Sequence, residues 1–327
     1  LKTSINMTDF TKIPFNNIIK FGQETMLDTD LFNVSWILGR FCNYNCSYCW
    51  PYAHGDKPDY QTLSINLKTI ESIKSQANNN GFNNFHWSFS GGEPTAYKEL
   101  LAVMYEVSND SIHMTTNLSP GINWWDRYLT MTRAARRRSI TASFHHEFAD
   151  EKEFGDKILY LMKNNVFVTI NQVMVPSKFN ELYERCRRFN DRGINVTLKP
   201  QSDITASFVI NEYNDDMIYK MRTGFPQKSS EQEILQVKLI DNERKVYFID
   251  QAERFNSYGF NKFKDWTCNA GYQGIIIRSN EVKRSYSCKE EILGTLTEGF
   301  IIFDRPKVCV TDTCVSSADS KIPKWKE

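Results

Sequence analysis

Eight cysteines occur in this 327-residue chain, and seven of them fall into two groups. Cys42, Cys46 and Cys49 lie within Phe41-Cys42-Asn43-Tyr44-Asn45-Cys46-Ser47-Tyr48-Cys49-Trp50, a C-x3-C-x2-C spacing. Three thiolates on one short loop can hold three corners of a cubane 4Fe–4S cluster. The fourth iron then lacks a protein ligand and can bind a small chelating molecule where an electron arrives. A zinc knuckle or a redox-inert site is the other chemistry open to these residues. Cys268, Cys288, Cys309 and Cys314 supply four more thiolates, enough to saturate either a 4Fe–4S cluster or a zinc ion. For four cysteines taken alone, zinc is the first reading. Clustered cysteines in a reducing compartment ligate metal more often than they form disulfides.

A third motif, Ser90-Gly91-Gly92-Glu93-Pro94, closes the apolar run Phe85–Phe89. Paired glycines let a backbone turn tightly and approach a ligand, which leaves peptide groups free to bond an ammonium. Glu93 can accept a bond from the same group. Alone, such a motif is a turn more often than a binding site.

The first cysteine spacing, the aromatic Tyr48 before its last cysteine, and the glycine-glycine-glutamate motif one βα unit later resemble the radical S-adenosylmethionine (SAM) superfamily. The resemblance implies SAM chelated on the open iron, its reductive cleavage to a 5′-deoxyadenosyl radical, and hydrogen abstraction from a substrate. It assigns SAM contacts to Gly91, Gly92 and Glu93, and weaker ones to Asn117, Ser143 and Asn171. The contexts of Cys268, Cys288, Cys309 and Cys314 resemble the auxiliary-cluster extension called SPASM, or its shorter form, twitch. The full pattern has more cysteines and two clusters, so the one-cluster form fits better. Lys283 stands where the pattern has a glycine five residues before Cys288. Beside a radical SAM core, the implied occupant is an auxiliary 4Fe–4S cluster that accepts an electron from a substrate radical. A two-electron oxidation follows from that role, with a flavodoxin- or ferredoxin-type protein as the implied electron donor.

His145-His146-Glu147 follows the fourth strand, at the mouth where barrel loops carry chemistry, and is a candidate for substrate contact or a general base. Adjacent histidines on one strand point to opposite faces, which argues against a joint metal site there. Cys186 is the remaining cysteine. A radical epimerase needs a thiol hydrogen donor, but Cys186 shares a helical stripe with Leu182 and Phe189 and reads as core. The basic run Arg133, Arg136, Arg137 and Arg138 reads as a solvated face.

The elements that must position these groups follow from periodicity. Val34–Leu38, Phe85–Phe89, Ile112–Thr116, Ile140–Phe144, Phe167–Val175 and Val196–Leu198 read as strands. Leu67, Ile70, Ile73 and Ala77 mark a helix between the first two. Leu100, Leu101 and Met104 mark the next, and Trp124, Tyr128 and Met131 another. Asp150 and Glu153 resemble a capping box that opens a helix bearing Phe154, Ile158, Leu161 and Met162. Repeated βα units imply a parallel sheet, and six are too few for a closed eight-stranded barrel. The expected fold is α/β, a partial (β/α)6 TIM-like barrel with a small cysteine-rich C-terminal domain. The expected segments are an N-terminal extension at 1–32, the barrel at 33–201, a linker at 202–265 and the auxiliary-cluster domain at 266–327. The linker has a helix at Asp215–Met221 and a hairpin joining Val237–Ile240 to Val246–Ile249. The last segment is expected to be held together mainly by metal.

With 40 basic and 39 acidic residues the chain has a formal charge of +1, which gives no reason to expect nucleic acid or an anionic membrane as partner. The longest purely apolar runs are short, as at Ile275-Ile276-Ile277, and the polar start lacks a signal-peptide core, so the cytoplasm is the default compartment. Two substrates compete: a polar small molecule such as a sugar or cyclitol, and a ribosomally made peptide receiving a crosslink or an oxidised residue. The short segment at 1–32 has no room for a leader-binding domain and tilts the expectation towards the small molecule. A non-catalytic iron–sulfur or zinc sensor is the reading from another class, and the Gly-Gly-Glu-Pro motif argues against it.

Overall fold

The computed structural model describes residues 12–50, 54–205, 208–228, 237–249, 259–288 and 291–326. In chain order the first elements are β1 (Ile18–Gln23), β2 (Leu31–Ile37), α1 (Leu63–Asn79), β3 (Asn84–Ser90) and α2 (Leu100–Glu106). There follow β4 (Ser111–Thr116), α3 (Ile122–Met131), β5 (Arg137–Ser143), α4 (Glu151–Lys163), β6 (Phe167–Met174), α5 (Phe179–Asp191), β7 (Asn195–Pro200) and α6 (Asp215–Thr223). The six strands expected from periodicity are β2 to β7. Two compact units result. One contains Trp36–Leu67 and Trp87 to Lys228; the other contains the described residues up to Ser35, Lys68–His86 and those from Val237 onward.

The first unit is an α/β layer. Strands β4, β5, β6 and β7 pair in parallel, with Thr115 beside Thr141, Thr141 beside Thr169, and Asn171 beside Thr197. Parallel neighbours in sequence order require crossovers, and α3, α4 and α5 supply them. Period-two alternation sorts the side chains. Ile112, Met114, Ile140, Ala142, Val168, Ile170, Val196 and Leu198 are buried on one face. Helix residues Trp125, Tyr128, Phe154, Ile158, Leu161, Leu182, Cys186 and Phe189 are buried with them. The opposite face of the sheet is only half-buried. Asp150 caps α4 by accepting the Glu153 amide at 2.8 Å, as the sequence suggested. Glu153 turns forward instead, pairing with Lys157 at 2.8 Å. The buried tryptophan of α3 is Trp125, one residue from the Trp124 expected on that face.

The second unit is antiparallel. It contains β8 (Val237–Asp241), β9 (Val246–Ile249), β10 (Thr267–Cys268), β11 (Gly274–Arg278), β12 (Glu281–Lys283), β13 (Ile292–Thr295) and β14 (Gly299–Phe300), then β15 (Lys307–Val308), a short helix α7 (Ser317–Ser320) and β16 (Lys324–Trp325). The expected hairpin is β8–β9. Its turn is tied by Asp241, which accepts the Glu243 and Lys245 amides and the Tyr247 hydroxyl. Strands β11 to β14 form an antiparallel meander. A six-stranded sheet runs β15-β10-β16-β1-β8-β9. Ile18, Phe21, Val237, Leu239, Tyr247, Ile249 and Phe263 form its apolar core together with Cys268, Cys309 and Cys314. Cys268, on β10, and Cys309 and Cys314 thus belong to a hydrophobic core, whereas the sequence suggested segments held mainly by metal. The difference arises from β1 and the β8–β9 hairpin, distant in sequence, which supply Ile18, Phe21, Val237, Leu239, Tyr247 and Ile249 to that core.

Candidate active site

Cys42, Cys46 and Cys49 lie on the loop that leaves β2. Cys46 is buried, Cys42 half-buried and Cys49 exposed. The Tyr44 amide donates to Cys42 Sγ at 3.4 Å, and the Cys49 amide to the Cys46 carbonyl at 3.0 Å. Burial pushes all three thiols up, Cys46 to about 12. Metal capture as thiolate therefore releases protons and is favoured at higher pH.

The Gly-Gly-Glu-Pro turn runs directly against the start of this loop. Gly92 and Glu93 donate their amides to the Gly39 and Phe41 carbonyls at 2.9 and 2.8 Å, and Leu38 donates to Ser90 at 2.9 Å. Gly91 has φ +140°, and a Cβ there would lie 2.3 Å from the Gly39 oxygen. A Cβ on Gly92 would lie 2.2 Å from the Phe41 oxygen. The glycines are required because two backbones meet, one of which carries the cysteines. On the loop's other side Asp59 accepts the Arg40 and Phe41 amides at 2.7 and 3.3 Å.

Glu93 is buried and accepts four bonds, from Thr95 N at 3.0 Å, Thr95 Oγ1 at 2.6 Å, Thr116 Oγ1 at 2.7 Å and Asn117 N at 2.7 Å. Burial raises its pKa, and those donors oppose the rise. Its carboxylate ties the turn to the end of β4. Asn117 continues the link, donating Nδ2 to Asn43 Oδ1 on the cysteine loop at 2.9 Å. Ser143, the last residue of β5, is in register beside Asn171, which lies within β6. They belong to the half-buried sheet face, which presents Thr115, Thr141 and Thr169 in one row and Ser143, Asn171 and Thr197 in the next.

His145, His146 and Glu147 come after β5 has ended, so strand alternation does not govern them, and both imidazoles face Tyr48. Ring centroids are 6.0 Å apart for His145 and 5.3 Å for His146, both nearly parallel. His145 Nδ1 lies 3.3 Å from Cys46 Sγ and 3.0 Å from Tyr48 Oη. Burial, the larger cause, and the neighbouring His146 lower the His145 pKa to about 4, which keeps it neutral. Glu147 accepts from Ser47, through both its amide and its hydroxyl. Cys186 stays in the helix–sheet core, 1% exposed, and burial pushes its thiol up to about 12. Of the basic run, Arg138 donates to the Leu129 and Asn164 carbonyls, and Arg137 stacks on Phe167.

A family model described as the radical SAM superfamily matches residues 36–222, more than half of the chain. The chain belongs to the radical SAM superfamily. As a radical SAM protein it uses a 4Fe–4S cluster and SAM. Its donor set fits the cluster: three thiols on one loop, with an amide already on one sulfur and an imidazole on another. Among solved structures it is similar to "Native anSMEcpe with bound AdoMet and Cp18Cys peptide", with 14% identity, 83% of this chain and 78% of that chain covered, and TM-score 0.50. It is also similar to a hexahistidine-tagged form of anSMEcpe with bound AdoMet, with 13% identity, 83% and 76% coverage, and TM-score 0.49. At these identities the likeness is one of fold. No curated protein matches the chain in sequence. No helix among the described residues is long and apolar enough to cross a membrane.

In the other unit Cys268, Cys288, Cys309 and Cys314, all buried, line one small cavity with Ser287, Thr311, Asp319 and Lys324. Strand pairing brings Lys324 beside Cys268. Lys324 is 2% exposed, and its ammonium donates to the carbonyls of Asp319, Ile322 and Ser320 at 2.8, 2.8 and 3.4 Å. Its charge draws down the otherwise burial-raised thiols of Cys309 and Cys314. Asp319 accepts the Ser287 amide and hydroxyl at 2.7 and 2.9 Å, and burial raises its pKa. Arg284 is buried and paired with Glu291 at 2.6 Å. Asp59, Tyr48, Lys324 and Asp319 were not marked by sequence reasoning as site residues. The one available signal was position: all four lie within ten residues of a candidate ligating cysteine.

Proposed function

We propose that this radical SAM protein is an oxidoreductase that removes two electrons from a polar small molecule of the sugar or cyclitol kind. The observation carrying the proposal is the gathering of Cys268, Cys288, Cys309 and Cys314 about one cavity that a buried ammonium also lines. Four thiolates leave no iron open to substrate, so the service left to such a cluster is electron transfer. The ammonium of Lys324 offsets the negative charge of a thiolate-bound cluster and favours its reduction.

When bound, the first cluster and SAM supply the 5′-deoxyadenosyl radical. This chain's residues do the rest. Cys42, Cys46 and Cys49 hold three irons, the Gly91–Glu93 turn presents the SAM-binding edge, and the half-buried sheet face receives the substrate. Six hydroxyl and amide side chains in two rows suit a substrate with many hydroxyls, and exclusion of bulk solvent protects the radical.

A peptide substrate is the second reading, favoured by the peptide bound in a solved structure of similar fold. A single experiment separates them. Anaerobic protein is given SAM, reductant and either deuterated polyols or unstructured peptides, and deuterium is followed into 5′-deoxyadenosine. Transfer from a polyol, with a two-electron-oxidised product that disappears in Cys309→Ala, is the expected result. Transfer only from peptides would replace the polyol reading, and oxidation persisting in Cys309→Ala would remove the auxiliary cluster from the reaction.

A further inference from the structure

The loop after β5 grips the cysteine loop at two points that the family resemblance does not assign. At the first, His145 places Nδ1 3.3 Å from Cys46 Sγ and 3.0 Å from Tyr48 Oη, with its ring against Tyr48 and edge-on to Tyr44 at 6.0 Å. At the second, the Glu147 carboxylate takes both the amide and the hydroxyl of Ser47, which is the residue after Cys46. A cysteine sulfur on iron is a thiolate and can only accept, so a hydrogen bond from Nδ1 to it needs the proton on that nitrogen, and the Tyr48 hydroxyl beside the same nitrogen then accepts from it rather than donating to it. The contact is partly buried, where a hydrogen bond acts through a lower dielectric than in water.

We infer that His145 donates its Nδ1–H to the Cys46 sulfur and so makes the SAM-binding cluster easier to reduce, while Glu147 pins the loop that carries that sulfur. The inference rests on the family assignment and on Cys46 as a ligand. Hydrogen bonds to ligand sulfurs draw charge from an iron–sulfur cluster and raise its reduction potential. The Glu147 charge, which by itself would oppose reduction, is spent on two donors from Ser47. His145 is therefore a positioning and tuning residue that acts through Cys46. With Nδ1 of His145 turned to the sulfur, the basic nitrogen of that ring is Nε2, so the base or substrate-contact role expected of this segment would fall to Nε2 or to His146.

The test is an EPR-monitored potentiometric titration of the reconstituted protein without SAM or substrate. His145→Phe keeps the ring on Tyr48 and removes the donor; His145→Gln keeps a side-chain N–H. In His145→Phe the ratio of reduced to oxidised cluster at a fixed potential is expected to fall about tenfold, equal to about 59 mV for one electron. His145→Gln is expected to recover most of it. Glu147→Gln is expected to lower iron retention and leave the potential of the loaded cluster unchanged. An unchanged potential in iron-replete His145→Phe would overturn the inference, as would an equal shift in Glu147→Gln, because loop displacement would then account for both. A second measurement needs no variant to hold iron. Wild-type protein labelled with 15N-histidine should show a weak nitrogen coupling to the reduced cluster in pulsed EPR, and its absence would overturn the inference equally.

Discussion

At the residue scale, the glycine pair shows how backbone geometry sets chemistry. Gly92 has no room for a side chain because its Cα faces the Phe41 and Arg40 carbonyls, which a Cβ would approach to 2.2 and 2.3 Å. Backbone on both sides cannot yield as a flexible side chain would. Gly92→Ala is therefore expected to push the cysteine loop outward, lower iron at the first cluster, and cut SAM cleavage about 100-fold, the cost typical of an ångström-scale misplacement. Iron counting and 5′-deoxyadenosine assay would check this, and a fully active Gly92→Ala would show that the contact is dispensable. Lys324 is the corresponding residue in the other unit. Replacing it with Met removes the cation and leaves up to three buried carbonyls without their donor, at about 1–3 kcal/mol for a buried group left unsatisfied. Lys324→Met should melt lower and lose iron or make the auxiliary cluster harder to reduce, with Cys42, Cys46 and Cys49 still loaded. An unchanged melting temperature together with an unchanged auxiliary potential would contradict this.

At the element scale, what was legible in the sequence was what local periodicity encodes. Strands β2 to β7 were found because each shows an apolar face at period two or a short apolar run between helices. Helix α5 was found because Leu182, Cys186 and Phe189 recur at helical spacing, and all three are buried. The Asp150 cap was readable because capping joins residues three apart. Asp150→Ala should cost about 1 kcal/mol, the usual worth of an N-cap, lowering the melting temperature while iron content and SAM cleavage stay as in wild type. A loss of iron in that variant would mean that α4 does more than cover the sheet. Periodicity could not reveal β1, whose partners β8 and β16 lie more than two hundred residues away in sequence. Nor could it place His145 and His146, because the alternation rule was applied two and three residues beyond the strand's end. Once β5 stops at Ser143, the backbone is free to turn both rings towards Tyr48.

At the scale of the whole molecule, each unit gathers its own set of cysteines by a different device. In the α/β unit a loop holds all three, and the Gly91–Glu93 turn, Asp59 and the segment 145–147 fasten that loop from separate directions. In the antiparallel unit the four cysteines are spread over 47 positions, from 268 to 314. A sheet built from both ends of the chain brings them together. The spacing of the first group was readable because the ligands are local. The second group was readable only as a count of thiols, because its cavity and the cation within it depend on long-range pairing of β10 with β15 and β16. The most direct measurement is to reconstitute the protein without oxygen, determine iron and acid-labile sulfide per chain, and assay 5′-deoxyadenosine after adding SAM and dithionite. About eight irons and eight sulfides, as two 4Fe–4S clusters require, together with SAM cleavage, is the expected result. A filled and reducible first cluster that yields no 5′-deoxyadenosine would contradict the radical assignment, and about four irons with cleavage intact would contradict the auxiliary cluster.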